Sequence, residues 1–195
     1  MGPLRDVSQP VDRWVLVPIK AFDAAKGRLG AVLGDEERVA LVTSMAAHVL
    51  DEAAPLPTCV ACDDAAVARF AESRGAHVSW TPGLGLNGAV EASLAHLASL
   101  GAAFVTVVHA DLPRARGIGE IEHFEGVTIA SDRRGDGTNL LRVPANVPFT
   151  MQYGAGSFKR HLTECDRLGL AILRLDRDDL AFDVDDPEDL ADLRT

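Results

Sequence analysis

An aspartate follows an apolar run in the middle of the chain, at a position suited to chemistry. The segment VTVVHADLP, residues 105–113, is rich in β-branched residues and is followed by Asp111. A strand that is buried on both faces of a parallel sheet has this kind of apolar run. Open α/β sheets bind their ligands at the carboxyl ends of such strands. Asp111 is therefore predicted to face a bound metal ion or substrate.

A second acidic motif, FDVDDPEDL, occupies residues 182–190. In an extended segment the side chains of Asp183 and Asp185 lie on one face, while Val184 packs on the other. Asp111 together with one of these aspartates would form an all-oxygen site, which suits Mg²⁺ because that ion needs few protein carboxylates. Asp183 is favoured as the second ligand, and Asp185 stays open as the alternative. Three other acidic residues are assigned to the start of a helix, where negative charge is favourable: Asp186, Glu188 and Asp189.

Three cationic side chains follow the first predicted strand, in IKAFDAAKGRLG, residues 19–30. Lys20, Lys26 and Arg28 could hold a nucleoside triphosphate, and a guanidinium can bind two phosphate oxygens at once. A solvated charged loop is the alternative interpretation of the same residues. The chain contains no G-x-x-x-x-G-K-[ST] motif, which argues against a P-loop ATPase.

Two glycine-containing loops could approach a ligand closely. In TPGLGLNGAV, residues 81–90, the amide of Asn87 offers a donor and an acceptor to a base or ribose, although a simple turn has the same composition. In SDRRGDGTNLL, residues 131–141, two glycines precede Thr138. This second loop is either a hairpin connection or a binding loop.

The segment QYGAGSFKRH, residues 152–161, resembles an anion site more closely. Gly154 and Gly156 lead into Ser157 at a predicted helix start, where free N–H groups and the helix dipole favour a bound anion. His161 either donates to a phosphate or holds local structure. A Ser–His hydrolase is disfavoured, because no G-x-S-x-G motif surrounds the serine.

The remaining pattern alternates between strands and helices. Predicted strands cover residues 14–18, 58–61, 77–80, 104–109, 127–130, 140–143 and 171–175. Predicted helices cover residues 36–53, 65–74, 88–100, 157–168 and 187–193. Ser157 is expected to N-cap its helix, and Gly169 to end it. This alternation predicts one α/β domain over residues 13–195, with a mostly parallel central sheet flanked by helices, behind a flexible tail of residues 1–12.

Composition excludes several classes of function. The 195 residues carry a net charge of −10, which argues against nucleic-acid partners. No apolar run approaches the roughly 20 residues of a membrane span, and no signal sequence is visible, so a cytoplasmic protein is expected. Cys59 and Cys62 lie on a predicted strand, where residues three apart point to opposite faces, so both are interpreted as buried apolar residues.

Six motifs in order resemble the family of 2-phospho-L-lactate guanylyltransferase, which includes phosphoenolpyruvate guanylyltransferase of coenzyme F-420 biosynthesis. They are VPIKAFDAAKGRL, GLN, HADLP, SDRRGDGTN, YGAGSFKRH and FDVDDPEDL. The resemblance runs from about Trp14 to the C-terminus. This chain has Ala155 where relatives often have proline, and Tyr153 where phenylalanine is common; neither change removes a donor.

The resemblance implies a nucleotide-diphospho-sugar transferase (glycosyltransferase-A-like) fold and specific residue roles. The implied magnesium ligands are Asp111 and Asp183. The implied residues for the phosphorylated three-carbon acid are Thr138, Gly154 and Ser157. The implied GTP-binding residues are Lys20, Lys26, Arg28, Asn87 and Gly88. The implied catalytic residues are Asp111, Lys26 and Arg28.

The implied reaction transfers GMP from GTP to the phosphate of phosphoenolpyruvate or 2-phospho-L-lactate and releases pyrophosphate. The acceptor phosphate is already an anion near neutral pH, so no general base is required. Two alternatives stay open: a nucleotidyltransferase of the same fold with another phosphorylated acceptor, and a nucleotide-binding module without catalysis. The oligomeric state is also open, a homodimer included.

Overall fold

The computed structural model describes residues 12–193, so most of the predicted tail over residues 1–12 lies outside the described range. Within this range the strands are β1 Arg13–Pro18, β2 Thr58–Cys62, β3 His77–Trp80, β4 Phe104–Val108, β5 Val127–Ser131, β6 Thr138–Pro144 and β7 Ile172–Arg174. The α-helices are α1 Asp35–Glu52, α2 Ala65–Ser73, α3 Gly85–Ser99, α4 Ser157–Leu168, α5 Asp178–Ala181 and α6 Pro187–Leu193. None of these helices combines the length and the apolar character that a membrane crossing requires.

The strands form one sheet in the order β3-β2-β1-β4-β6-β5-β7. Strands β3, β2, β1 and β4 are parallel to one another, and β5 is parallel to β7. Strand β6 forms a hairpin with β5 and runs antiparallel to both β5 and β4. The mostly parallel α/β sheet is thus confirmed, and the hairpin interpretation of residues 131–141 is correct.

Apolar side chains cover both faces of the sheet. Alternate residues of a strand point to opposite faces, so Val15 packs with α1 in one cluster and Leu16 packs with α3 in the other. The two cysteines of β2 separate in the same way. Cys62 belongs to the first cluster and Cys59 to the second, and both are free thiols. The interpretation of this pair as buried apolar residues is confirmed.

Every predicted strand and helix is present, with ends that differ by up to three residues. The sequence pattern missed the short helix α5. One cap prediction was wrong: Gly156, at φ 71°, caps α4, and Ser157 is its first helical residue. The left-handed backbone at Gly156, which glycine adopts without a Cβ clash, makes Gly156 the cap residue in place of Ser157. Gly169 ends the helix at φ 64°, as predicted.

Candidate active site

A cavity of about 950 Å³ opens at the carboxyl edge of the parallel strands. It lies where the ends of β1, β2 and β4 meet the start of α3, which is the edge at which α/β sheets bind ligands. Five residues predicted to act in the site line it: Lys20, Lys26, Arg28, Asp111 and Asp185. The cavity therefore joins the cationic loop after β1 to the acidic end of β4.

The second acidic motif reaches this cavity because its extended segment packs beside the residues that follow β4. Val184 is fully buried, and its N–H donates to the carbonyl of Asp111 at 3.2 Å. Asp183 and Asp185, on either side of Val184, are only half-buried. The alternation predicted from the sequence is thus present, and it brings the aspartates near Asp111 across more than 70 residues of chain.

Lys26 connects the two acidic motifs directly. Its ammonium donates to Asp111 Oδ2 and, at 2.5 Å, to Asp185 Oδ1, and its side chain is only 11% exposed. The backbone of Lys26 is left-handed, at φ 53° and ψ 43°, an unusual conformation for a residue other than glycine and one that is found often at functional sites. This conformation starts the 3₁₀ turn Gly27–Ala31, after which the side chain lies over the acidic pair.

The ionisation of this pair follows from its surroundings. Burial disfavours the charged form of Lys26, but the carboxylates of Asp111 and Asp185 outweigh burial and raise the pKa of the lysine. Burial likewise opposes the ionised form of Asp111, yet the charge of Lys26 lowers the pKa of that carboxyl below its usual value. The ammonium and the carboxylate are therefore both charged at neutral pH.

Asp183 is in the opposite situation. Burial, followed by the nearby charges of Asp111 and Asp185, raises its pKa, and a hydrogen bond from Asn139 only partly offsets this. Two carboxylates, of Asp111 and Asp185, thus share the Lys26 ammonium, and the carboxyl of Asp183 lies near enough to feel the charge of both. Asp111 Oδ1, which is buried, has no hydrogen-bond partner among residues 12–193.

This donor set fits a hard divalent cation. Asp111 has a carboxylate oxygen without a partner, and the pKa of the nearby Asp183 carboxyl is raised by burial and then by like charge. A bound cation would pair with the free oxygen and offset the like charge. Residues 12–193 contain no group of three His, Cys, Asp or Glu arranged as a metal cage. Mg²⁺ tolerates such a sparse set, because it takes one or two carboxylates and completes its octahedron with water and phosphate oxygens.

The residues predicted for the phosphorylated acid form a second cluster, at the start of α4. Thr138, Ser157 and His161 are all buried. The Ser157 hydroxyl donates to Thr138 Oγ1 at 3.4 Å, and Thr138 Oγ1 lies 3.0 Å from His161 Nδ1. None of the three lines the large cavity. Gly154 is exposed, with φ 116°, and lies in the loop before α4.

The tautomer of His161 is set by its two contacts. The backbone N–H of Gln152 donates to Nε2 at 3.0 Å, so Nε2 accepts and the ring proton lies on Nδ1. Nδ1 then donates to Thr138 Oγ1. Burial, followed by the charge of Arg160, lowers the pKa of His161 to about 4, which keeps the ring neutral at pH 7. Of its two predicted roles, the structure supports the one that holds local structure.

The N-terminus of α4 differs from the open anion cradle that the sequence predicts. Gly156 N–H donates to Asp136 Oδ2 at 2.9 Å, and Phe158 N–H donates to the carbonyl of Asp136 at 3.0 Å. Ser157 N–H donates to the carbonyl of Gly154 at 3.0 Å. The expectation of free N–H groups is therefore wrong for these three. The β5–β6 hairpin places Asp136 where an external anion was expected and satisfies two of them, and the loop itself satisfies the third. The GDG motif of that hairpin was the sequence signal for this acid.

The Asn87 loop is also held by protein contacts. Asn87 Oδ1 accepts from the N–H of Tyr153 at 2.7 Å, and its Nδ2 donates to the carbonyl of the same residue at 3.4 Å. The amide thus ties the start of α3 to the loop before α4. Gly88 lies inside α3, where an added Cβ would come within 3.2 Å of the Leu84 side chain. In this part of the cavity, Gly85, Leu86 and Ala89 supply the wall.

Three aromatic rings in contact, one pair tilted and one edge-to-face, connect the two clusters. The ring of His109 lies 5.2 Å from that of Tyr153, and Tyr153 lies 4.9 Å from His161. His109 Nε2 and the Tyr153 hydroxyl are buried, and neither has a hydrogen-bond partner among residues 12–193. Sequence reasoning gave no role in the site to either residue, nor to Asp63, which lines the cavity at the end of β2. An acid directly after a buried strand, the signal used for Asp111, would have found Asp63.

Similarity to known proteins agrees with this architecture. The chain matches the family described as guanylyl transferase CofC like over residues 13–194. It is 34% identical over 188 residues to the phosphoenolpyruvate guanylyltransferase of Sphaerobacter thermophilus, covering 91% of this chain and 90% of that protein. It is 35% identical over 191 residues to the 3-phospho-D-glycerate guanylyltransferase of Phenylobacterium zucineum, covering 91% of this chain and 88% of that one.

A solved structure supports the fold. A crystal structure described as a nucleotide-diphospho-sugar transferase from Desulfovibrio desulfuricans G20 superposes with a TM-score of 0.72 at 18% identity, covering 93% of this chain and 86% of the other. The nucleotide-diphospho-sugar transferase fold expected from the motifs is therefore confirmed. The chain belongs to the CofC-like guanylyl transferase family and is an enzyme of nucleotidyl transfer.

Proposed function

We propose that the enzyme transfers GMP from GTP to the phosphate of phosphoenolpyruvate and releases pyrophosphate, as a step of coenzyme F-420 biosynthesis. The observation that carries this proposal is the convergence of Lys26, Asp111 and Asp185 in a cavity of about 950 Å³. The names of the relatives support the choice of nucleotide and acceptor. Because GTP and Mg²⁺ are drawn from the cytoplasm, the activity is placed there.

The chemistry asks mainly for charge neutralisation. The acceptor phosphate is an anion near neutral pH and attacks the α-phosphorus of a second polyanion, so its approach is opposed by charge repulsion. Lys20 and Arg28, both exposed on the cavity wall, would bind the triphosphate. Lys26 holds Asp111 ionised and fixes its carboxylate beside Asp185. Fixed charges of this kind lower the barrier because they need no reorganisation during the reaction.

Mg²⁺ would be held by Asp111 and Asp183. Asp185 is already paired with Lys26, whereas Asp183 has a raised pKa and Asp111 retains a buried oxygen without a partner. When bound, the ion supplies positive charge to the phosphate oxygens and orients the two substrates. The protein groups position that charge at the edge of the cavity.

The phosphorylated acid would bind near Gly154, Ser157 and Thr138. His161 holds the Thr138 hydroxyl, to which the Ser157 hydroxyl donates, and the exposed backbone of Gly154 can approach a ligand closely. Asp136 occupies the N-terminus of α4. Binding of an anionic acceptor there therefore requires the β5–β6 hairpin to yield that position.

The decisive experiment is a side-by-side assay of pyrophosphate release from GTP and Mg²⁺ with three acceptors. Phosphoenolpyruvate is expected to give release and a product of the mass of its guanylyl adduct, and 2-phospho-L-lactate a slower reaction. 3-Phospho-D-glycerate is the second candidate acceptor, because a relative with 35% identity carries that name. Faster release with 3-phosphoglycerate would replace the acceptor, and no release with any acceptor would support a nucleotide-binding module without catalysis.

A further inference from the structure

Asp63 is a carboxylate on the cavity wall that has no evident structural role among residues 12–193. It directly follows β2, is exposed, and lines the same cavity as Asp111 and Asp185. Those two aspartates are paired with Lys26. Between residues 12 and 193, Asp63 makes no hydrogen bond or ion pair, whereas its neighbour Asp64 caps α2 by accepting from the N–H groups of Ala66 and Val67. Asp63 is therefore available to a ligand.

The sheet order sets the distance of Asp63 from the phosphate end of the site. Strand β1 lies between β2 and β4, so the ends that carry Asp63 and Asp111 are two strand spacings apart, roughly 10 Å. The cavity continues from Lys26 and Asp111 to Cys62 and Asp63 at the end of β2 and to Thr81 at the end of β3. A nucleotide whose phosphates lie at Lys26 and Asp111 would therefore place its ribose and base along this part of the edge, near Asp63.

The wall around Asp63 suits a purine ring. Leu86, at the start of α3, lines the cavity with 43% of its surface exposed, and Ala89 lies one turn further along the same helix. Thr81 also lines the cavity, and its N–H donates to the carbonyl of Cys62 at 2.9 Å, which holds it beside the end of β2. A purine whose flat face packs against Leu86 and Ala89 would cover the exposed leucine. The polar edge of the purine would then point toward Asp63.

We infer that Asp63 determines the base specificity of the enzyme by accepting two hydrogen bonds from the N1–H and the 2-amino group of guanine. This inference rests on the proposed use of GTP. A carboxylate is acceptor-only and offers two oxygens side by side, which matches two neighbouring donors. Adenine presents an unprotonated N1 at the same place, so its lone pair would face the carboxylate without a proton between them. A site built on such polar pairs rejects the wrong partner strongly.

The test is a change of specificity by Asp63→Asn, with Asp64→Asn as the matched control. In Asp63→Asn, an amide N–H donor replaces one of the carboxylate oxygens. This donor would face the 2-amino group of GTP, which is also a donor, but it can hydrogen-bond the 2-oxo group of xanthosine triphosphate. We expect kcat/KM for GTP to fall by about 10- to 100-fold, and the preference to turn toward xanthosine triphosphate. Asp64→Asn removes the same charge one residue away and keeps a good helix cap, so it should retain the preference for GTP.

Equilibrium binding of radiolabelled GTP and xanthosine triphosphate to the same three proteins separates this inference from the proposed reaction. If the wild-type enzyme turns over none of the acceptors, the reaction is wrong, but the binding preference still tests Asp63. If Asp63→Asn weakens both nucleotides equally, Asp63 contacts the ribose and the inference fails. It also fails if the variant keeps the wild-type preference for GTP. Because Asp63 is exposed, Asp63→Asn should unfold at the wild-type temperature, and a thermal unfolding curve checks that the variant is folded.

Discussion

Lys26 and Asp185 lie 159 positions apart in the chain, yet the ammonium of one is 2.5 Å from the carboxylate of the other. The same ammonium also contacts Asp111, so one lysine connects the loop after β1, the end of β4 and the extended segment before α6. Three segments that are distant in sequence are thus held together by one ammonium group. The arrangement of the site depends on this shared ion pair more than on any single motif.

Replacing Asp111 by asparagine should lower kcat by about 10²- to 10³-fold and leave the fold intact. The change keeps the size of the side chain but removes the charge that pairs with Lys26 and would hold the metal ion. Pyrophosphate release at saturating Mg²⁺ measures the effect, and circular dichroism checks the fold. Wild-type turnover in a folded variant would contradict the role given to Asp111.

Replacing Lys26 by methionine should lower activity far more than the same change at Lys20. Methionine keeps the aliphatic bulk of Lys26 but leaves Asp111 and Asp185 without their shared ammonium, and repulsion between them should displace both carboxylates. Lys20 is exposed and contacts neither acid, so Lys20→Met is expected mainly to raise the KM for GTP. Equal losses of kcat in the two variants would show that the acidic bridge has no special role.

Replacing Ser157 by alanine should raise the KM of the acceptor more than that of GTP. The Ser157 hydroxyl lies in the cluster with Thr138 and His161, away from the wall of the large cavity. Initial rates over a grid of both substrates give the two constants. A larger effect on GTP than on the acceptor would mean that the two pockets are exchanged.

The burial of His161 predicts a loss of stability in mild acid. Its pKa is about 4 in the folded protein, below the value of about 6.5 in an unfolded chain, so below pH 6.5 the unfolded state binds a proton that the folded state does not. This contribution to the free energy of unfolding is complete above pH 6.5 and is lost as the pH falls toward 4, by at most about 3 kcal/mol.

Urea unfolding between pH 7 and pH 4 measures this loss. The carboxyl groups of the protein also titrate in the range, so the wild type is compared with His161→Asn, whose amide can still donate to Thr138. The variant is expected to be less stable at pH 7 but to lose less stability as the pH falls. Parallel curves for the two proteins would show that His161 is not the titrating group.

The sequence alone determined the order of strands and helices, the mostly parallel sheet and the cavity edge at which Asp111 lies. These features depend on local periodicity, and a buried strand or an amphipathic helix shows its pattern in the residues that form it. The alternation of Asp183, Val184 and Asp185 is local in the same sense, and the structure retains it.

Only the tertiary structure decided which groups are paired and which are free. In the structure Asp185 forms an ion pair with Lys26, and Asp136 lies at the N-terminus of α4. The side-chain amide of Asn87 is hydrogen-bonded to the backbone of Tyr153. The fold also left Asp63 without a partner among residues 12–193. A polar group and its partner can be distant in sequence, and an N–H or a carboxylate is satisfied by whatever the fold brings within about 3 Å. No local pattern records that choice.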